Sequence, residues 1–307
     1  MIVIKQLMHY TIIAIFLIII GFTGNIFAST DPSKNSVSFS EIYNYANLSN
    51  AAYQSAPRIH EISALKSYTI TRISSISGFK ISYFLATNDA DKTQVISVRG
   101  TSNIENAFVD IALQLTIDKR TGIRLHNGFS QTAQAIYTEI QPLLKKDYVI
   151  STTGHSLGGA VALILAMYLD TDHFNVGQVV TFGQPKVTNI AGAHQFKHLN
   201  IIRVVTQKDL VPLVPPFDPI DFNNLDIFWH PGKEVILLDD TSYAILEGME
   251  SMMRAIKFTQ EPLNENNLQN HQMSLYIEML AKKIPSSQLI PFKNNFNLFN
   301  LFGSEQK

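Results

Sequence analysis

Tyr148-Val-Ile-Ser-Thr-Thr-Gly-His-Ser-Leu-Gly-Gly-Ala-Val-Ala-Leu-Ile-Leu-Ala-Met-Tyr168 joins a short apolar run to a long one through a turn of small residues. Tyr148–Thr152 reads as a strand, and Leu157–Tyr168 is long enough for three turns of a buried helix. Gly154-His-Ser156-Leu-Gly158 is left to make the turn. A G-x-S-x-G sequence between strand and helix is the nucleophile-elbow arrangement, which lifts the serine hydroxyl above the end of a sheet. Glycines at 154 and 158 remove Cβ atoms that would clash there, and a helix opening at Leu157 turns N–H groups and its positive dipole end toward the serine. Chance gives the pattern about 0.1 times in a chain of this length, and the required flanks lower that further. Ser156 is therefore the candidate nucleophile.

Working outward, helix and strand periods alternate: helix Gly128–Lys145, strand Tyr148–Thr152, helix Leu157–Tyr168, strand Gln178–Phe182, helix Ile190–His198 and strand Ile201–Thr206. Such alternation predicts crossovers and a mainly parallel sheet with helices on both faces. Upstream, Phe39–Gln54 has apolar residues at helical spacing behind the potential caps Ser38 and Ser40. Tyr68–Ile73, Phe79–Ala86 and Gln94–Val98 are strand-like and joined by short polar turns, as in antiparallel hairpins. Strand Val235–Leu238 and helical stretches Tyr243–Lys257 and Gln269–Lys283 complete the domain. The expected class is α/β, an α/β-hydrolase fold.

The rest of a serine-hydrolase site follows from chain order. An oxyanion needs two donors, one from the residue after the nucleophile and one from the loop after an upstream strand. Leu157 supplies the first. Strand Thr93–Val98 runs into Arg99-Gly100-Thr101, so Thr101 is the second candidate, although Arg-Gly-Thr alone usually marks an ordinary turn. The acid and then the histidine should follow at later strand ends. Strand Ile201–Thr206 leads into Gln207-Lys-Asp209, which favours Asp209 over Asp218 and Asp221 in the proline-rich loop beyond. His230 and His271 remain for the base. His230 opens a strand, whereas His271 sits between the polar loop Asn264–Asn270 and a helix, which lets an imidazole swing between acid and serine. His155 adjoins the serine and is expected to point elsewhere. His194 and His198 share a helix face with no third ligand evident, which favours a surface pair over a metal site.

Composition narrows the class. The 307 residues carry 24 basic and 25 acidic side chains, formal net charge −1, scattered without a basic patch, so nucleic acid is not an expected partner. Cysteine is absent, which excludes disulfides, thiolate catalysis, zinc-thiolate sites and iron–sulfur clusters. No cofactor and no metal are expected. Lys5 precedes the apolar run Tyr10–Ile20, which breaks at Gly21 and Gly24 and exits at Ala28-Ser29. That layout predicts a signal peptide over 1–28 and export as a secreted or periplasmic protein rather than a membrane anchor, which would need about 20 uninterrupted apolar residues. Residues 29–283 then form one catalytic domain and 284–307 a Phe- and Asn-rich tail.

Taken together, Tyr45–Tyr53, Val98-Arg-Gly-Thr101, His126-Asn-Gly-Phe129, Gly154–Gly159, Val180-Thr-Phe-Gly-Gln-Pro185, Lys208–Pro212 and His271-Gln-Met-Ser-Leu-Tyr276 resemble the class three, or fungal-type, triacylglycerol lipase family. The resemblance runs from Tyr45 to Leu280. It implies an ester lipid substrate, His271 as the catalytic histidine, His230 as a non-catalytic one and Thr101 at the oxyanion position. It also puts Ser102–Leu115 in the place of a lid that meets a lipid–water interface. There Ile104, Phe108, Ile111 and Leu115 recur at steps of four, three and four, an apolar helix face, while Ala107 stands where several lipases carry tryptophan. Fold and triad do not fix the substrate. A transacylase would use the same residues and is separated by product analysis with and without an acceptor alcohol. A non-catalytic lipid-binding protein is disfavoured because every catalytic group is present. The sequence leaves the oligomeric state open.

Overall fold

A computed structural model of the chain describes residues 37–76, 78, 81–101, 114–215, 227–258 and 269–292. Contacts divide the chain into Met1–Val37 and Ser38–Lys307, and all elements below belong to the second unit. Helix α1 (Phe39–Ala51) starts at Ser38, whose Oγ accepts the Glu41 N–H at 3.3 Å, and a single turn α2 (Ala56–Ile59) follows. Strands β1 (Thr69–Ile76), β2 (Ile81–Asn88) and β3 (Thr93–Val98) form the expected antiparallel hairpins. Next come β4 (Leu115–Ile117), β5 (Arg124–His126), α3 (Asn127–Ile140), β6 (Val149–His155), α4 (Leu157–Thr171), β7 (Asn175–Phe182) and β8 (Thr188–Asn189). The chain continues through α5 (Ile190–Gln195), β9 (Asn200–Thr206), β10 (Phe228–Trp229), β11 (Lys233–Leu237), β12 (Ser242–Leu246), α6 (Gly248–Phe258), α7 (Met273–Lys283) and β13 (Gln288–Leu289).

The main sheet has the order β1-β2-β3-β6-β7-β9-β11-β12-β13, with parallel pairing from β3 through β11. The expected fold class stands: an α/β-hydrolase sheet with an antiparallel N-terminal edge. Its parallel part is covered on both faces, which is why the carboxyl-terminal halves of β6, β7 and β9 are buried continuously rather than in alternation. Helix α4 is apolar all round for the same reason. Its residues Gly158–Leu169 are buried between the sheet and the α3 face formed by Phe129, Ala133, Ile136, Tyr137 and Ile140.

Three expectations are corrected. Tyr243–Lys257 is not one helix: Ser242–Leu246 is a strand antiparallel to β11, and the helix starts at Gly248. The apolar run Tyr243-Ala-Ile-Leu246 fits either period, and the turn at Asp239–Thr241, with Asp240 at φ 50°, folds it back onto β11. The helix expected over Gly128–Lys145 ends at Ile140 in a 3₁₀ turn holding Pro142, which has no N–H to continue it. Leu115, assigned to the lid helix, is in β4 and pairs with His126. A second sheet, β10-β8-β5-β4, was not anticipated, since strands of two or three residues have no readable period. Within the tail, Gln288–Leu289 pairs with β12 and Phe292 packs against the cluster around Val205 and Ile236.

A buried ionic cluster ties the far side of the sheet together. Glu234 on β11 accepts from Arg254 Nε of α6 at 2.9 Å and from Ser251 Oγ at 2.6 Å, while Arg203 on β9 donates to Ser251 Oγ and to the Pro231 carbonyl. Burial pushes the Glu234 carboxyl up, but the guanidinium groups of Arg254 and Arg203 outweigh it and hold the group below its ordinary value. Removing the carboxylate strands two buried cations. Glu234→Gln is therefore expected to cost about 3–5 kcal/mol, read as a lowered urea midpoint with an unchanged slope.

Candidate active site

Strands β3, β6, β7 and β9 run parallel, so their carboxyl ends meet at one sheet edge, and each delivers one part of a site. At the end of β6, Ser156 adopts φ 59°, ψ −133°, a backbone conformation that costs of order 1–3 kcal/mol for a residue with a side chain. Close approach of the chain enforces it. A Cβ at Gly154 would lie 2.5 Å from the Gly158 carbonyl oxygen, and one at Gly158 would lie 2.3 Å from the Val98 carbonyl oxygen and 2.7 Å from the Gly100 nitrogen. The first turn of α4 therefore rests on the loop leaving β3. This brings Gly100, and Thr101 after it, to the serine: a Cβ at Gly100 would lie 3.1 Å from the Ser156 Cβ.

At the end of β9, Asp209 is fully buried. Its Oδ1 accepts the Val211 N–H at 2.8 Å, and its Oδ2 accepts the Tyr276 hydroxyl at 2.5 Å and meets His271 Nδ1 at 2.7 Å. His271, also fully buried, stands two residues before α7, and its Nε2 has no hydrogen-bond partner among the described residues. A carboxylate can only accept, so Nδ1 carries a proton and Nε2 presents a lone pair whenever the ring is neutral. The ring lies 4.5 Å from that of His155, the neighbour of Ser156. Burial, the negative charge of Asp209 and the hydrogen bond to it push the Tyr276 phenol well above its ordinary value, which keeps it a donor.

The acid's loop is pinned from two sides. Lys186 Nζ donates to the Leu213 and Pro215 carbonyls at 2.5 and 2.6 Å, with its pKa brought down to about 7 by burial. His230 Nε2 donates to the Pro212 carbonyl at 2.7 Å. Of the two histidines left open by chain order, His271 touches Asp209 and His230 supports the loop. Asp218 and Asp221, and the lid candidates Ile104, Phe108 and Ile111, lie outside the described residues, as do residues 1–28.

Four contributors went unrecognised. Gly183, at the end of β7 with φ +57°, passes the pair so closely that a Cβ would lie 2.6 Å from His271 Cε1 and 2.8 Å from Asp209 Oδ2. Tyr276 appeared only as the last residue of a motif. Tyr53 belonged to a helical pattern. His155 was expected to point elsewhere, and instead its Nε2 bonds the His271 carbonyl at 2.7 Å. The only available signals were the Phe-Gly-Gln-Pro break after an apolar strand and a second histidine beside the serine.

A strained serine at a strand-to-helix elbow and a buried Asp–His pair lie at the same carboxyl-end edge of an α/β-hydrolase sheet. Residues 95–218 match the family described as Lipase (class 3), and the resemblance read from the motifs is to that family. A secreted mono- and diacylglycerol lipase of Fusarium solani is 33% identical over 155 residues, 47% of this chain and 46% of that protein. A lipase of Rhizopus niveus is 30% identical over 172 residues, covering 52% and 42%. The chain thus spans less than half the length of these relatives. Among solved structures, the Lip2 lipase of Yarrowia lipolytica superposes with TM-score 0.56 at 27% identity, over 66% of this chain and 79% of that one. A triacylglycerol lipase whose catalytic centre is described as a serine protease triad gives TM-score 0.57 at 28% identity, over 67% and 83%.

Gly183 offers a test of this geometry that removes no polar group from the site. In Gly183→Ala the methyl group meets both His271 and Asp209 and the backbone is held at positive φ. Displacement of the pair by a fraction of an ångström to an ångström is expected to lower the rate of any ester hydrolysis that runs through it by about 10²-fold or more, with an unchanged far-ultraviolet circular dichroism spectrum.

Proposed function

We propose that this protein is an exported serine hydrolase that cleaves carboxylic esters of lipids through an acyl-enzyme formed on Ser156. The observation that carries the proposal is the buried His271–Asp209 contact of 2.7 Å beside the elbow that presents Ser156. In this reading His271 Nε2 takes the Ser156 proton as the hydroxyl attacks the ester carbonyl. Asp209 favours the imidazolium that results, because its carboxylate accepts from Nδ1 where both side chains are shielded from solvent. N–H groups of Leu157, at the head of α4, and of Thr101, on the loop held against Ser156, receive the developing oxyanion. His271 returns the proton to the departing alcohol, and water repeats the sequence on the acyl-enzyme. No cofactor takes part.

Lipid as the substrate class is supported by the class 3 lipase match and by relatives described as lipases. Export is supported by the charge, apolar run and small-residue exit of residues 1–28 and by the relative described as secreted.

Ser156→Ala is expected to abolish hydrolysis of a dispersed triacylglycerol while leaving the unfolding midpoint close to that of the wild type. His271→Ala is expected to lower kcat on the order of 10⁴-fold, and His230→Ala to reduce stability while sparing most turnover. A folded Ser156→Ala enzyme with full turnover would refute the proposal, and losses in kcat exchanged between the two histidine variants would move the base to His230.

A further inference from the structure

His155 takes no part in the proposed proton transfers, yet it is buried at the centre of the site, with its ring against those of Tyr53, His271 and Tyr276 at centroid distances of 5.9, 4.5 and 6.0 Å. Both of its nitrogens are engaged. Nε2 lies 2.7 Å from the His271 carbonyl oxygen and Nδ1 lies 2.9 Å from the Tyr53 hydroxyl, which in turn lies 3.2 Å from the Gly100 nitrogen.

These contacts allow one assignment of protons. The His271 carbonyl can only accept, so Nε2 of His155 carries hydrogen. Burial and the proximity of His271 hold His155 well below its ordinary pKa and keep it neutral, so Nδ1 is an acceptor and the Tyr53 hydroxyl must donate to it. The Tyr53 oxygen then accepts the Gly100 N–H. Burial pushes the Tyr53 phenol up to about 12, so it keeps its proton across the range in which an ester hydrolase works. The result is a directed chain: Gly100 N–H to Tyr53, Tyr53 O–H to His155, His155 N–H to the backbone of His271.

We infer that Tyr53 and His155 are positioning residues that link the oxyanion loop to the backbone of the catalytic histidine, so that donor and base are held in one register. The ends of the chain explain why such a link is useful. Gly100 precedes the proposed oxyanion donor Thr101, and His271 stands two residues before α7 on a segment that pairs with no strand among the described residues. Among the described residues, no strand or helix pairing ties one loop to the other. Tyr53 arrives from the end of α1, a third element, and spans the gap. Hydrogen bonds in series within a low-dielectric interior strengthen one another, so loss of either member should release both loops.

The inference rests on the ester-hydrolase reading, and the experiment separates the two. Steady-state kinetics on a dissolved short-chain ester would be measured for wild type, Tyr53→Phe, His155→Leu, His155→Gln and the double variant Tyr53→Phe/His155→Leu. Far-downfield proton NMR would follow the Nδ1–H of His271. Expected are a fall in kcat of about tenfold for Tyr53→Phe and ten- to a hundredfold for His155→Leu, with KM nearly constant in both, effects of a base out of place rather than of lost binding. His155→Gln retains a donor for the His271 carbonyl and should recover most of the loss. The double variant should be no slower than His155→Leu alone, because members of one chain are not additive. The His271 resonance should broaden in Tyr53→Phe and His155→Leu and sharpen again in His155→Gln. Residues that only fill space would lower the unfolding midpoint with kcat intact, or give losses that multiply with no advantage for Gln over Leu; either result overturns the inference. Should His155→Leu fail to fold, Tyr53→Phe, which deletes one hydroxyl, carries the test through kcat and the His271 resonance. A wild-type protein without esterase activity would end the ester-hydrolase reading itself.

Discussion

Between β6 and α4 the backbone comes so close to the loop leaving β3 that no side chain fits at Gly158, where a Cβ would lie 2.3 Å from the Val98 carbonyl oxygen. That single close approach organises the molecule's reactive edge. It seats the first turn of α4 over the exit of β3 and forces the turn at Ser156 into φ 59°. It also sets Gly100 and Thr101 beside the serine. The strain at Ser156 is offset by a helix whose twelve residues Gly158–Leu169 are all buried, an apolar anchor far larger than the local cost.

The second constraint is electrostatic. Asp209 and His271 are both shielded from solvent, where a carboxylate without partners would be costly. Asp209 escapes that cost by accepting from the Val211 N–H, the Tyr276 hydroxyl and His271 Nδ1. The same three donors fix its orientation, so the bonds that make burial of the carboxylate tolerable also aim it at the His271 ring. Behind the loop, Lys186 and His230 satisfy backbone carbonyls of residues 212, 213 and 215, which holds the acid's loop without contacting the acid.

Local features were legible in the sequence and long-range ones were not. The elbow could be read because its determinants, Gly154, Ser156 and Gly158, lie within five residues of each other between two strong periodic segments. Asp209 and His271, which the structure brings into contact, could be singled out because topology orders strand ends along the chain. Gly183, Tyr53, His155 and Tyr276 could not, since their roles exist only after β3, β6, β7 and α7 meet at one edge. Tyr243–Leu246 was misread as helix because four apolar residues have no decisive period, and the turn at Asp240 that folds them onto β11 depends on tertiary pairing. The cluster of Glu234, Arg203 and Arg254 has no sequence signature, as its members come from three elements.

The central claim is that Ser156 is made nucleophilic by His271 and Asp209. An activated alkyl phosphonate reacts readily only with a serine that has a working general base, so mass mapping of the adduct on the purified protein tests the claim directly. One phosphonyl group should be found, on the peptide that carries Ser156, and it should form far more slowly in His271→Ala. An intact protein left unlabelled, or labelled on another residue at the wild-type rate in that variant, would contradict it.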